Sequence, residues 1–334
     1  MKQDMRQDFD GSQVLITGGM GFIGSNLAHR LVSLGARVTI LDAMLPQNGG
    51  NPVNLDGITN NTEIVIDDIR NVDTMRRLLA GKDYIFNLAG QVGVSAGLKN
   101  SAMDFDISCL GQLNLLESCR AINRRARIVF ASSRLVYQRN LPVPVDENAP
   151  LKPLSIYGIH KLTVEQYHRL FNQIYGLSTV CLRITNPYGP RQRIQGGNYG
   201  IVNWFLYLAM KNDTIKVFGD GAQLRDYLYI DDLTEIFLRC ALLPEMEGQV
   251  YNAGSGEGTT LVEMARAVVE TTGAGNIEHV PWPENQARTE TGDFVAKIDK
   301  LVAATDFRPQ TGLRQGLQKT VGFLKQETGQ AETA

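Results

Sequence analysis

Tyr157 and Lys161 stand four residues apart in a stretch with helical patterning, so their side chains share one helix face. A phenol titrates at about 10, and a neighbouring ammonium favours its ionised form and lowers that value. A phenol lowered in this way is a usable general base for a sugar or alcohol hydroxyl. Ser133, roughly two dozen residues earlier at the end of an apolar run, is placed to donate to the same oxygen. Tyr-x-x-x-Lys alone arises often by chance, and a solvated helix pair is its ordinary meaning. What precedes it in the chain gives it weight.

That context is Val14-Leu15-Ile16-Thr17-Gly18-Gly19-Met20-Gly21-Phe22-Ile23-Gly24, a short apolar run entering a glycine-rich turn and then an amphipathic stretch from Ser25 to Leu34. A buried strand, a tight turn and a helix N-terminus form the layout that holds a dinucleotide pyrophosphate. Gly18, Gly21 and Gly24 fit G-x-x-G-x-x-G, while Gly19, Gly21 and Gly24 fit G-x-G-x-x-G, so the glycines do not choose between dehydrogenase superfamilies. A second strand, Arg37 to Leu41, ends on Asp42. An acid about 20 residues past the glycine turn meets the adenine ribose hydroxyls. Its carboxylate would repel the extra phosphate of NADP, and no Arg follows it directly, so the expected cofactor is NAD.

The positioning elements follow from the same patterning. After the loop Ala43–Asn61 come a strand Glu63–Ile66 ending in Asp67-Asp68-Ile69, a helix Val72–Leu79 and a strand from Tyr84 into Leu88-Ala89-Gly90. A single long helix is expected over Asp104–Ala121, a strand over Arg127–Ala131 ending at Ser132-Ser133, a helix over Ser155–Tyr175 and a strand over Thr179–Ile184. This alternation predicts an α/β fold with a doubly wound parallel Rossmann sheet. Asp42, Asp68, Ala89 and Ser133 then all fall at carboxyl ends of strands, where ligands gather. Further on, glycines 196, 197 and 200 interrupt the chain. The later helices (Val202–Met210, Asp231–Leu243, Thr260–Thr271) and strands (Ile215–Phe218, Val250–Asn252) read as a smaller interleaved α/β lobe for substrate. The expected division is 12–185 with 226–255 for NAD, and 186–225 with 256–326 for substrate.

The 334 residues carry a net charge of −2 and are 43% hydrophobic, enough for a large core and no general pull toward nucleic acid or anionic membrane. No run reaches the ~20 apolar residues of a membrane span, and Met1–Asp10 has no apolar signal segment. Cys109, Cys119, Cys181 and Cys240 lack C-x-x-C spacing, so reduced thiols in a cytoplasmic protein are expected. The four histidines show no metal-site pattern. Both ends are expected to fray, the segment Gln326–Ala334 lacking bulky apolar groups.

Taken together, the chain resembles the extended short-chain dehydrogenase/reductases of the nucleotide-sugar epimerase/dehydratase type, from roughly Gln13 to Leu324. The resemblance rests on Thr17–Gly24, Asp68-Ile69-Arg70, Leu88-Ala89-Gly90-Gln91, Ser132–Tyr137, Tyr157-Gly158-Ile159-His160-Lys161, Arg183–Arg191 and Arg225–Asp232. It implies that Gly18, Gly21, Phe22, Ile23 and Gly24 carry the NAD turn, that Asp68 and Ile69 flank the adenine, and that Leu88, Ala89 and Gln91 line the cleft. It also implies that Lys161 holds the nicotinamide ribose as well as tuning Tyr157. Asn186, Arg225 and Arg288 match positions that contact a nucleotide diphosphate, which suits forked donors. The bland reading of Arg225 is an ion pair with Asp226 or Asp231. Lys216-Val217-Phe218-Gly219 resembles the strand against the nucleotide base, placing Val217 there. A homodimer is implied, with Asp104–Ala121 and Ser155–Tyr175 pairing across a four-helix interface.

Departures narrow the chemistry. Dehydratases of this type place Asp-Glu after the catalytic Thr or Ser; here Arg134 and Leu135 stand instead, which removes the acid and base for elimination and counts against decarboxylation too. Ser108 replaces a frequent Asn, and Asn87 a frequent His. Arg134 reads either as a structural ion pair or as a contact to an anionic or polar group of the substrate. The expectation is an NAD-dependent epimerase acting at C4 of a UDP-hexose or UDP-hexuronate. The alternatives are a C2 epimerase of a CDP-sugar, a net nucleotide-sugar oxidoreductase, and a non-catalytic NAD-binding protein.

Overall fold

The computed structural model describes residues 5–46, 49–91, 93–194 and 200–331; Gln47, Asn48, Val92, Gly196 and Gly197 lie outside the described residues. The chain starts with a short helix α1 (Met5–Phe9), then β1 (Gln13–Thr17), α2 (Phe22–Ser33) and β2 (Arg37–Asp42). The long loop holds two short 3-10 turns, Pro52–Leu55 and Thr59–Asn61, before β3 (Thr62–Ile66), α3 (Val72–Leu79) and β4 (Tyr84–Asn87). Next come α4 (Val94–Lys99), α5 (Ser101–Phe105), α6 (Gly111–Ile122), β5 (Arg127–Ser133), α7 (Ile156–Tyr175) and β6 (Thr179–Ile184).

These strands build a seven-stranded parallel sheet that is completed by β11. Reaching it, the chain passes β7 (Asn186–Tyr188), α8 (Ile201–Met210), β8 (Thr214–Phe218), β9 (Leu224–Arg225), β10 (Tyr227–Tyr229), α9 (Ile230–Leu242) and β11 (Val250–Ala253). The sheet order is β11-β6-β5-β4-β1-β2-β3. Strand order therefore reverses between β1 and β4, whose ends meet at Thr17 and Asn87. A doubly wound sheet opens its ligand crevice at such a switch point.

Side chains alternate across each strand, so one run of residues fills two cores. Val14 and Ile16 of β1 join Leu27, Leu31, Phe86 and Phe237 on one face, while Leu15 joins Met75, Ile85, Leu115 and Ile128 on the other. The remaining elements are β12 (Thr259–Thr260), α10 (Leu261–Thr272), β13 (Asn276–Val280), α11 (Glu284–Thr289), α12 (Asp299–Thr305) and α13 (Leu313–Ala331). Three two-stranded sheets, β7 with β10, β8 with β13 and β9 with β12, lie apart from the main one.

Three expectations need correction. From Met5 onward the chain is anchored, not frayed: Phe9 is fully buried with its ring 5.1 Å from that of Tyr84, and this apolar contact outweighs the polar composition around it. At the other end α13 runs to Ala331, past the Gln326 where fraying is expected, and residues 332–334 lie outside the described residues. The helix expected over Asp104–Ala121 is not continuous: a π turn spans Asp106–Leu110 between α5 and α6.

Candidate active site

β1 delivers the glycine turn to the switch point. Gly18 has φ +70°, a left-handed conformation, and a Cβ there would come within 3.1 Å of the Ala89 backbone. A Cβ on Gly24 would lie 2.4 Å from the Gly18 carbonyl oxygen and 2.7 Å from the Gly19 Cα, so turn and helix close on each other only without side chains. Helix α2 starts at Gly21 with no side-chain cap, and Phe22, Ile23 and Gly24 line the cleft in front of it. Uncapped N–H groups at a helix start suit a pyrophosphate. Asp42, at the end of β2, accepts from the N–H groups of Met20 and Met44 at 3.0 Å each. Burial raises its pKa, and those two bonds oppose the rise. The residues present thus form a cradle that fits a dinucleotide.

The far wall comes from β3, β4 and the π turn. Asp68, Ile69, Leu88, Ala89, Gln91 and Ile107 all face the cleft. Asp68 is held by Arg70, which donates from Nε at 2.9 Å and Nη2 at 2.8 Å. Burial pushes the Asp68 carboxyl up, but the Arg70 hydrogen bonds win and its pKa is lowered. The Gln91 N–H donates to Ser108 Oγ at 3.3 Å, so the hydroxyl at this position still meets the cleft wall. Asn87 is fully buried; it accepts from Thr17 Oγ1 at 3.1 Å and donates to Gln112, which in turn donates to the Ala89 carbonyl at 2.6 Å.

β5 and α7 bring the reactive groups together. Ser155 caps α7, accepting from the Gly158 N–H at 3.1 Å, and this fixes the first turn that carries Tyr157 and Lys161. The Tyr157 hydroxyl is hydrogen-bonded to Ser133, whose Oγ also accepts from the Leu135 N–H at 3.2 Å. Lys161 Nζ donates to the Ala131 carbonyl at 2.8 Å and sits 5.7 Å from the Tyr157 ring centre. Beneath them Glu165 accepts from Ser132 and from both arms of Arg183, a buried ion pair that ties α7 to β5 and β6.

The electrostatics differ from expectation in one respect. Lys161 was expected to lower the Tyr157 pKa, but burial raises that phenol to about 12; the Ser133 hydrogen bond opposes the rise and the charge of Asp104 adds to it. Lys161 itself falls to about 8, burial outweighing the attraction of Asp104.

Most residues singled out in the sequence converge here. Gly18, Gly21, Phe22, Ile23, Gly24, Asp42, Asp68, Ile69, Leu88, Ala89, Gln91, Ser133, Arg134, Tyr157, Lys161 and Asn186 line one cleft of about 390 Å³. Three are not brought to it. Val217 is fully buried, because β8 turns alternate side chains into the core. Arg225 is paired with Glu290, not Asp226 or Asp231, and donates to the Gly292 carbonyl at 2.8 Å. Arg288 projects from α11, exposed and paired with Glu284 one turn away. Sequence reasoning missed Leu45, Ile107, Gln192, Arg193 and Ile201, which also line the cleft, and Asp104, which acts on Tyr157 and Lys161 from behind α7. None of these sits in a spacing motif; only tertiary packing places them. Among the described residues no cluster of His, Cys, Asp and Glu could hold a metal ion.

Comparison with known proteins agrees with this geometry. A family model described as the NAD dependent epimerase/dehydratase family matches residues 14–254. UDP-glucose 4-epimerase of Mycolicibacterium smegmatis is 31% identical over 322 residues, covering 95% of this chain and 99% of that protein. CDP-paratose 2-epimerase of Salmonella typhi is 30% identical over 334 residues, covering 92% of this chain and 97% of that one. The solved structure of an epimerase from Methanothermobacter thermautotrophicus is similar with a TM-score of 0.91 at 27% identity, covering 99% of this chain and 97% of that chain. The chain belongs to the NAD-dependent epimerase/dehydratase family, and NAD is its cofactor.

Proposed function

We propose that the protein is an isomerase that inverts C4 of a UDP-hexose or UDP-hexuronate through a transient keto sugar. The observation that carries this reading is the Ser133–Tyr157 hydroxyl pair beside Lys161 on the cleft wall, followed by Arg134 and Leu135 where elimination would need an acid and a base. Tyr157 acts as its phenolate, a minor form while burial holds its pKa at about 12, and takes the proton of the sugar hydroxyl; Ser133 holds the same oxygen in line. NAD held by the glycine turn and Asp42 would supply the acceptor and donor for the hydride of that carbon. Asn186, on the cleft wall, anchors the nucleotide end so that the keto sugar turns without leaving.

Similarity to a UDP-glucose 4-epimerase supports C4, and similarity to a CDP-paratose 2-epimerase keeps C2 inversion of a CDP-sugar as the second reading. Proton spectra of the protein with UDP-, CDP-, GDP- and dTDP-sugars in heavy water separate them. A C4 isomer formed without deuterium at the inverted carbon is expected. A C2 isomer would move the reading to the second, and a dehydrated or decarboxylated product would end it. Tyr157→Phe is expected to lower kcat by about 10²- to 10⁴-fold.

On the same reading 12–185 with 226–255 serves NAD and 186–225 with 256–326 serves the nucleotide sugar. The four buried, unpaired cysteines favour a cytoplasmic setting. A homodimer is proposed through α5, α6 and α7, where Phe105, Leu110, Ile159, Leu170 and Ile174 are exposed apolar side chains.

A further inference from the structure

The catalytic wall of the cleft carries a positive charge that no carboxylate pairs with among the described residues. Arg134 directly follows Ser133 and lines the cleft. Its Nη1 donates to Thr291 Oγ1 at 3.0 Å, and its guanidinium lies 5.5 Å from the Phe294 ring centre; both neighbours are neutral. Glu290 and Asp226 are the two acids whose charge reaches it, and both are engaged elsewhere. Glu290 is ion-paired with Arg225 and accepts from the Gly292 N–H at 3.0 Å. Asp226 accepts from the backbone of Ser255, Gly256 and Ala296. Two guanidinium groups therefore share one carboxylate, and the one facing the cleft is left over. Burial, with repulsion from Arg225, pulls Arg134 down to about 10, as befits a cation short of a counter-ion.

A second unsatisfied group stands beside it. Tyr227 is 5% exposed, and its hydroxyl has no hydrogen-bond partner among the described residues. It interacts electrostatically with both Arg225 and Arg134. Folded proteins leave few buried donors unpaired; Tyr227 does not line the cleft, so a buried water is the partner that suits it, and the charge of Arg134 stays unanswered.

We propose that Arg134 receives a carboxylate borne by the sugar beside its reacting carbon, so that the substrate is a nucleotide-linked uronic acid. This rests on the epimerase reading above for what Ser133 does. Ser133 and Arg134 are consecutive on one wall of the cleft, so when Ser133 holds the C4 oxygen a substituent on an adjoining carbon is within reach of the arginine side chain. A carboxylate there matches the guanidinium fork. A neutral hydroxymethyl group would leave the charge buried and unmatched.

The test compares UDP-glucuronate with UDP-glucose on the NAD-loaded protein, by turnover and by calorimetric binding. The uronate is expected to be favoured about a hundredfold, and Arg134→Gln to abolish that preference by weakening the uronate far more than the neutral sugar. Because the two substrates are compared within one variant, a misfolded fraction cancels from the ratio. Equal handling of both by the wild type, binding of neither, or an equal loss for both in Arg134→Gln overturns the proposal. Binding of the uronate that depends on Arg134, with no isomer formed, would uphold the carboxylate receptor and end the epimerase reading instead.

Discussion

Lys161 and Tyr157 are enclosed together, and their titration is set by neighbours that no local motif reveals. The Asp104 carboxylate is fully buried, lies 3.3 Å from His160 Nδ1, and opposes the burial-driven fall of the Lys161 pKa to about 8. Since that value is below the ordinary 10.5, Lys161 is cationic below about 8 and neutral above it in the folded state. Folding stability contributed through this group therefore rises with pH between about 8 and 10.5, where the unfolded chain binds the extra proton. Activity follows the opposite course: kcat is expected to fall as pH rises through about 8, when the ammonium beside the phenol is lost. Asp104→Asn removes a charge that keeps the proton on Lys161, so the falling limb moves to lower pH. A pH–kcat profile with an unmoved limb would sink this assignment. The positions of Ser133, Tyr157 and Lys161 were readable because a strand end and a four-residue helix step are local geometry. Asp104 and Tyr227 were not, because each gains its meaning from a side chain far away in sequence.

At the scale of the element, the glycine turn and α2 form a unit whose tolerance is fixed by backbone contact. Gly24→Ala would drive a methyl group against the Gly18 carbonyl, and over-packing of this kind costs about 1–3 kcal/mol. The expected result is a lower melting temperature and a loss of NAD affinity of about tenfold or more, read by thermal unfolding and NAD titration. Unchanged affinity would mean that the turn relaxes without disturbing the cradle. Strands and helices of the sheet were legible from period-2 and 3.6-residue patterns, and the helix starts expected at Ser155 and Thr260 fall on the N-caps of α7 and α10. The π turn was not, since its widening adds no marker residue to the helical pattern. Nor was α1, where Met5 and Phe9 alone supply the buried face of a five-residue helix. Val217 was misplaced for a related reason: a strand can be recognised from composition, but which of its faces points inward depends on what packs there.

For the whole molecule, the alternation of strands and helices was enough to give the parallel sheet, because crossover handedness leaves few ways to wind it. The exposed stripe Ile159, Leu170 and Ile174 on α7 recurs at helical spacing, and Ile174 alone leaves 61% of its surface open. If two copies meet there, Ile174→Asp is expected to weaken the dimer by about 2 kcal/mol or more, visible as monomer in sedimentation. A wild type that sediments as a monomer at high concentration would remove the interface. The π turn at Asp106–Leu110 bears on that same surface. Ahead of it Phe105 looks outward, within it Ile107 lines the cleft, and after it Leu115 and Leu116 enter the core. One extra residue per turn lets these three faces keep separate phases, as a slip joint lets two halves of a shaft rotate apart. At unchanged length, regular winding across this turn would swing one half against the other by about 100°. The width of a single turn, more than the identity of its side chains, thus decides which residues of this helix reach the cleft, the core and the outer surface.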